Sequence, residues 1–272
     1  MVASESLSKG PIRVEPERDA GGVPDRLRRT GMLLFGVFAY LVSLVSLLYA
    51  VGFVGNVIVP RSIDVPAGSA SAASWAVDLA LLGAFAIQHS GMARPGFKRW
   101  WTRSVPEPIE RSTYVLVSSV LLLLVFWLWR PLHGEVWRVQ DPLGRVALDV
   151  LCGLGWLTVV ASSLMIDHFD LFGLRQTWFC FMVRDYEPPP FRTPLVYRYV
   201  RHPIMLGFVI AFWSSPTMTA GHLLFAATTT AYVLIAIALE ERDLVAFYGD
   251  VYRAYQRRTG RLLPRPIRPS DN

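Results

Sequence analysis

Two aromatics, two cations and a histidine run directly into an apolar stretch at Tyr197-Arg198-Tyr199-Val200-Arg201-His202-Pro203-Ile204-Met205-Leu206-Gly207. The stretch continues as a hydrophobic hairpin over residues 204–238 and ends on Glu240-Glu241. A hairpin returns its far end to the face it left, so two carboxylates come back to the level of Arg201 and His202. Carboxylate oxygens accept from hydroxyl and ammonium groups, a guanidinium grips a carboxylate, and aromatic rings cover a base or a cation. Such an ensemble suits a polar, partly charged cofactor at a membrane boundary. The same residues also have structural readings: Arg201 as a loop charge reaching for headgroups, Glu240-Glu241 as a solvated helix start.

The elements that must position these groups are membrane helices. The chain has 272 residues, 53% of them hydrophobic, with apolar runs near 20 residues long, the signature of a polytopic membrane protein. Spans are expected at about 31–54, 75–91, 112–129 and 146–166, followed by the two hairpin arms at about 204–213 and 222–238. The first arm is short for a span, and Pro203 suits the first turn of a helix. Residues 1–30 read as a disordered tail, 31–166 as an N-terminal transmembrane region, 167–260 as the module that carries the chemistry, and 261–272 as a second tail. After Glu240, the spacing of Leu244, Phe247, Tyr248, Val251, Tyr252 and Tyr255 predicts an amphipathic helix at the membrane surface.

Charge sets the orientation. With the N-terminus inside, 23 Lys and Arg fall on the cytoplasmic side and four, Arg61, Arg130, Arg138 and Arg145, outside. Both termini and the polar boundary then lie in the cytoplasm, whereas His133 and His222 fall on the other side. The net charge of +6 follows from these loops at an anionic lipid surface, which argues against nucleic acid as a partner. Cys152 and Cys180 read as packing residues, with no disulfide framework and no metal-ligand spacing. The first apolar run is long enough to span, so no cleaved signal is expected.

Tyr197-x-Tyr199-x-Arg201-His202-Pro203, the hairpin, Glu240-Glu241 and Tyr248-Gly249-Asp250-x-Tyr252-x-x-Tyr255 resemble the C-terminal module of the isoprenylcysteine carboxyl methyltransferase and phospholipid methyltransferase superfamily. The resemblance implies S-adenosylmethionine bound at the cytosolic face. It places Tyr197, His202, Pro203, Ile204, Met205 and Glu240 against that cofactor, with Gln176 as a preceding contact and Tyr199 and Arg201 in the same motif. Gln88-His89-Ser90-x-Met92-Ala93-Arg94 looks like related membrane proteins named for nitrite and nitric oxide metabolism. Together with the run from Asp167 to Gln176, it makes nearly everything after the tail similar to the bacterial methanethiol S-methyltransferases, which form dimethyl sulfide.

That resemblance implies attack of a small thiol on a sulfonium methyl. The thiolate is the competent nucleophile, so a carboxylate-oriented imidazole would help. His168 with Asp170 is the preferred catalytic pair, Asp167 the next candidate and His89 the rival base. An Asp-His-x-Asp run can equally cap a helix at the interface, and His89 can be a hydrogen-bonded packing residue. Methylation of a lipid amine or a prenylated cysteine carboxylate is the alternative chemistry. The carboxylate would need a cation near the second hairpin arm, where Ala236 and Ile237 stand. A non-catalytic membrane protein of related fold is the alternative class, and the oligomeric state is left open.

Overall fold

A computed structural model describes residues 23–65, 71–132 and 134–265. Residues 1–22 and 266–272, which hold most of both expected tails, and His133 lie outside the described residues. Helix α1 (Val23–Gly55) begins inside the stretch expected as tail, because no proline or glycine follows Pro24 until Gly31. Then come α2 (Ala72–Met92), α3 (Pro95–Trp101), α4 (Glu107–Leu128), strand β1 (Glu135–Arg138), α5 (Pro142–Ile166), α6 (His168–Leu171) and α7 (Leu174–Phe181). A 3-10 turn at Leu195–Arg198 precedes α8 (Pro203–Trp213), strand β2 (Thr217–Thr219), α9 (Ala220–Tyr248) and α10 (Asp250–Arg258).

The protein is an integral membrane helical bundle. Four helices are long and apolar enough to cross a membrane, α1, α4, α5 and α9, and α2 with α3 would be a fifth span bent by 76°. The bend falls at Pro95, whose ring disfavours helical geometry in the preceding residue. Each of the six expected spans falls on a helix, of which α8 is too short to cross alone. Helix α8 has 11 residues and rises about 16 Å, half of a hydrocarbon core. The chain completes its course through residues 214–219, whose strand β2 pairs antiparallel with β1. Thr219 then caps α9, its hydroxyl accepting from His222 N at 3.1 Å.

Helix α9 differs from expectation. It does not end at Glu240 but runs on to Tyr248, because nothing between Ala238 and Tyr248 breaks a helix. Gly249, at φ 56°, makes the break before α10. Glu240 lies about 30 Å along α9 from Ala220, one core thickness, so the carboxylates reach the opposite face despite being mid-helix.

The two halves of the bundle differ in character. Away from the Arg201-His202 motif, Phe53, Phe126, Trp129, Phe212 and Phe225 pack into an aromatic core, with Phe53 and Phe126 4.6 Å apart between ring centroids. Trp129 Nε1 donates to Ile63 O and Thr219 Oγ1 to Asp64 Oδ1, which ties the connections together on that side. His222 is buried there, on the side expected for it, and pairs with the Phe212 carbonyl. Toward the motif, the contacts between helices become polar.

Candidate functional site

Glycine decides where the motif sits. A Cβ on Gly207 would come within 2.6 Å of Gly155 O, and one on Gly155 within 2.7 Å of Ala211 N, so α5 and α8 touch backbone to backbone. This contact lays the start of α8 along the last turns of α5. There Tyr197 Oη donates to Ser162 O at 3.3 Å, and Tyr255 Oη from α10 donates to the Tyr197 carbonyl. The chain after α10 returns beside the motif: Arg201 N donates to Gly260 O at 2.8 Å and His202 N to Arg261 O at 3.1 Å.

Within that frame the predicted charges meet. Arg201 Nε donates to Glu241 Oε1 at 2.7 Å, and His202 Nε2 lies 3.2 Å from the same oxygen. His202 Nδ1 is 3.6 Å from Glu240 Oε2. Glu241 Oε2 accepts from Gln256 at 3.3 Å and from Arg261 at 3.0 Å. Arg201 is 8% exposed, and its guanidinium also serves the carbonyls of Gln256 and Thr259. Burial lowers the His202 pKa, opposed by its hydrogen bond to Glu241. Pro203 is buried and Ile204 and Met205 half-buried beside this cluster, whereas Tyr199 is 64% exposed and stands apart from it.

A second polar group gathers where α5 ends. Asp167, at φ 109°, turns the chain and leads into α6. Here the structure corrects the expected base pair, because His168 and Asp170 take different partners. His168 Nδ1 lies 3.0 Å from Ser163 Oγ and Nε2 3.1 Å from Tyr40 Oη. Ser163 Oγ already donates to Val160 O, so it accepts from Nδ1–H and leaves the Nε2 lone pair to the Tyr40 hydroxyl. Burial lowers the His168 pKa. Asp170 instead accepts from Tyr186 Oη at 2.5 Å and from Gln176 Nε2 at 3.3 Å. Burial raises the pKa of both Asp170 and Tyr186. Asp167 is occupied by Arg175 at 2.6 Å.

Tyr40, Ser163 and Tyr186 escaped the sequence reading. Tyr40, Ser43 and Ser46 are polar at three-residue spacing in an apolar helix, and Ser162-Ser163 interrupts another, signals that existed. Nothing comparable marks Tyr186, which lies in a mixed segment. The rival base His89 sits in a separate network, with Tyr114 Oη at 3.0 Å and Ser118 Oγ at 3.2 Å. Its motif neighbours fasten α2 to α9, Ser90 to Tyr232 at 3.1 Å and Arg94 to Asp243 at 2.8 Å. The segment Gln88–Arg94 is thus a clasp that holds α9 near its carboxylates.

Among the buried polar atoms in this half without a hydrogen-bond partner in the described residues are Gln176 Oε1 and Ser162 Oγ. Both can bond to a polar cofactor's hydroxyl or amine. The residues present therefore fit a cofactor such as S-adenosylmethionine.

Fold and site together define an all-helical integral membrane protein with a buried arginine–histidine–glutamate cluster at one face. The chain belongs to the family described as NnrU protein, which matches residues 78–242. It is similar to the methanethiol S-methyltransferase of Mycobacterium tuberculosis, at 54% identity over 89% of this chain and 99% of that one. It is also similar to the methanethiol S-methyltransferase of Crocosphaera subtropica, at 48% identity over 88% of this chain and 93% of the other. Nurim of Rattus norvegicus is 30% identical over 71% of this chain and 75% of its own. No solved structure matches the chain significantly.

Proposed function

We propose that the protein transfers a methyl group from S-adenosylmethionine to methanethiol, giving dimethyl sulfide and S-adenosylhomocysteine. The reading is carried by the meeting of Arg201-His202 with Glu240-Glu241 in a chain 54% identical to a methanethiol S-methyltransferase over nearly all of the latter's length. When bound, S-adenosylmethionine supplies an electrophilic methyl group and a neutral thioether leaving group.

The chain's own residues then bind, orient and move a proton. Gln176, Tyr197, His202, Pro203, Ile204, Met205 and Glu240 hold the cofactor. Arg201 acts through Glu241, whose carboxylate it fixes beside the His202 ring. Tyr199, exposed, is left out of this set. His168 Nε2 is the base, and the thiol proton reaches it through the Tyr40 hydroxyl that occupies its lone pair. Asp170 anchors Tyr186 and Gln176 and so acts in positioning. The 23-to-4 distribution of Lys and Arg supports a cytoplasmic site. Ala236 and Ile237 are buried and apolar, so neither supplies the cation that a prenylcysteine carboxylate would need at that point of α9.

Purified protein in detergent, given S-adenosylmethionine and methanethiol, is expected to release dimethyl sulfide into the headspace and S-adenosylhomocysteine in equal amount. Cofactor binding without dimethyl sulfide would reject the thiol and leave the methyltransferase site standing.

A further inference from the structure

On the far side of Glu241 from His202, a cleft of about 930 Å³ opens between α10 and the residues that follow it. Arg201, Arg253, Arg257, Arg261 and Arg265 line it, and Glu241 is the single carboxylate among its lining residues. That carboxylate balances Arg201 and shares itself with Arg261. Arg253 reaches Asp250, whose side chain is 95% exposed and solvent-screened. A concave surface lined by one sign of charge focuses its potential, and guanidinium forks match phosphate oxygens. The same potential repels a sulfonium, which separates this cleft from the proposed methyl-donor site.

The surroundings say which anion. Leu263, on the rim, is 74% exposed, and Val251 on the adjoining α10 is 60% exposed. A free phosphate would leave these apolar side chains in water. A lipid brings an anionic phosphate to the arginines and acyl chains to the leucine and valine, the arrangement of a surface helix at a charged bilayer.

We propose that this cleft seats the phosphate of one anionic phospholipid. Its occupancy clamps the segment Gly260–Arg261, whose carbonyls receive the backbone N–H groups of Arg201 and His202. The lipid thereby orders the motif from outside the methyl-transfer site, and the inference stands whether or not the protein is a methyltransferase.

The test is native mass spectrometry of the full chain titrated with phosphatidylglycerol or phosphatidylcholine, with inorganic phosphate as a third probe. Wild type is expected to retain one phosphatidylglycerol in preference to phosphatidylcholine. Arg257→Gln should weaken retention about 5-fold and the Arg257→Gln/Arg265→Gln pair about 30-fold. Both positions are exposed and neither touches Glu241, and the single variant carries the test if the double one does not fold. Equal retention of the two lipids, or unchanged retention by Arg257→Gln, would overturn the proposal. Stabilisation by inorganic phosphate with none by phosphatidylglycerol would reject the lipid as occupant.

Discussion

Arg201 and Glu241 stand 40 positions apart in sequence and form a buried ion pair of 2.7 Å that joins the start of α8 to α9 well before its C-terminus. Both side chains are nearly solvent-free, and Glu241 is the carboxylate that compensates the Arg201 guanidinium. Glu241→Ala leaves a buried guanidinium uncompensated, at a cost of about 3–5 kcal/mol. Thermal unfolding in detergent should show a clearly lowered midpoint, and pairing the change with Arg201→Met should recover part of it. An unchanged midpoint in the single variant would show that the pair is dispensable.

Glu240 Oε2 and His202 Nδ1 face each other at 3.6 Å. On the proposed reading, replacing either by alanine removes a bond to a charged or polar cofactor group. S-adenosylhomocysteine affinity, measured by calorimetry, should fall about 10- to 100-fold. Wild-type affinity in both variants would remove these residues from the cofactor site.

The sequence made this juxtaposition legible because it follows from topology: an apolar hairpin must return its far end, and Glu240-Glu241 mark that end. Local patterns told less about partners. His168 and Asp170 share one turn, yet tertiary neighbours 128 and 16 residues away, Tyr40 and Tyr186, claim them separately. The length of α8 was readable, but its consequence was not. The glycine contact with α5 that seats it is a relation between two segments that no single-segment pattern displays.

The Tyr40 to His168 contact predicts a pH signature. The working imidazole is neutral, and burial lowers its pKa below the ordinary 6.5. Proton-accepting capacity is therefore present above that value and lost as pH falls through the lowered pKa. The acid limb of kcat should lie below about pH 6.5. His168→Ala should slow turnover about 100- to 10,000-fold with little change in cofactor affinity, and Tyr40→Phe should slow it in the same direction. Full rate in both variants across pH would dismiss this base.

Asp170→Asn should be mild. Asparagine keeps an acceptor for Tyr186 Oη, and a carboxyl whose pKa burial already raises loses little by becoming neutral. Stability within about 1 kcal/mol of wild type and near-normal kcat are expected. A collapse of kcat comparable to that of His168→Ala would restore the two as a coupled pair.

Gly207→Val tests the backbone contact that places the motif. The added side chain meets Gly155 O and Val159, so α8 must move off α5. We expect a loss of about 1–3 kcal/mol together with weakened cofactor binding, because Tyr197 and His202 move with the helix. Undiminished binding would show that the motif is seated by other contacts.

The most direct test of the central claim is isotopic. Purified protein is incubated with S-adenosylmethionine bearing a trideuteromethyl group and with unlabelled methanethiol, and the headspace is read by mass spectrometry, with Glu240→Ala alongside. The account predicts dimethyl sulfide carrying one trideuteromethyl group from wild type and a strongly reduced yield from the variant. Unlabelled dimethyl sulfide alone, or equal labelled yields from both proteins, would contradict it.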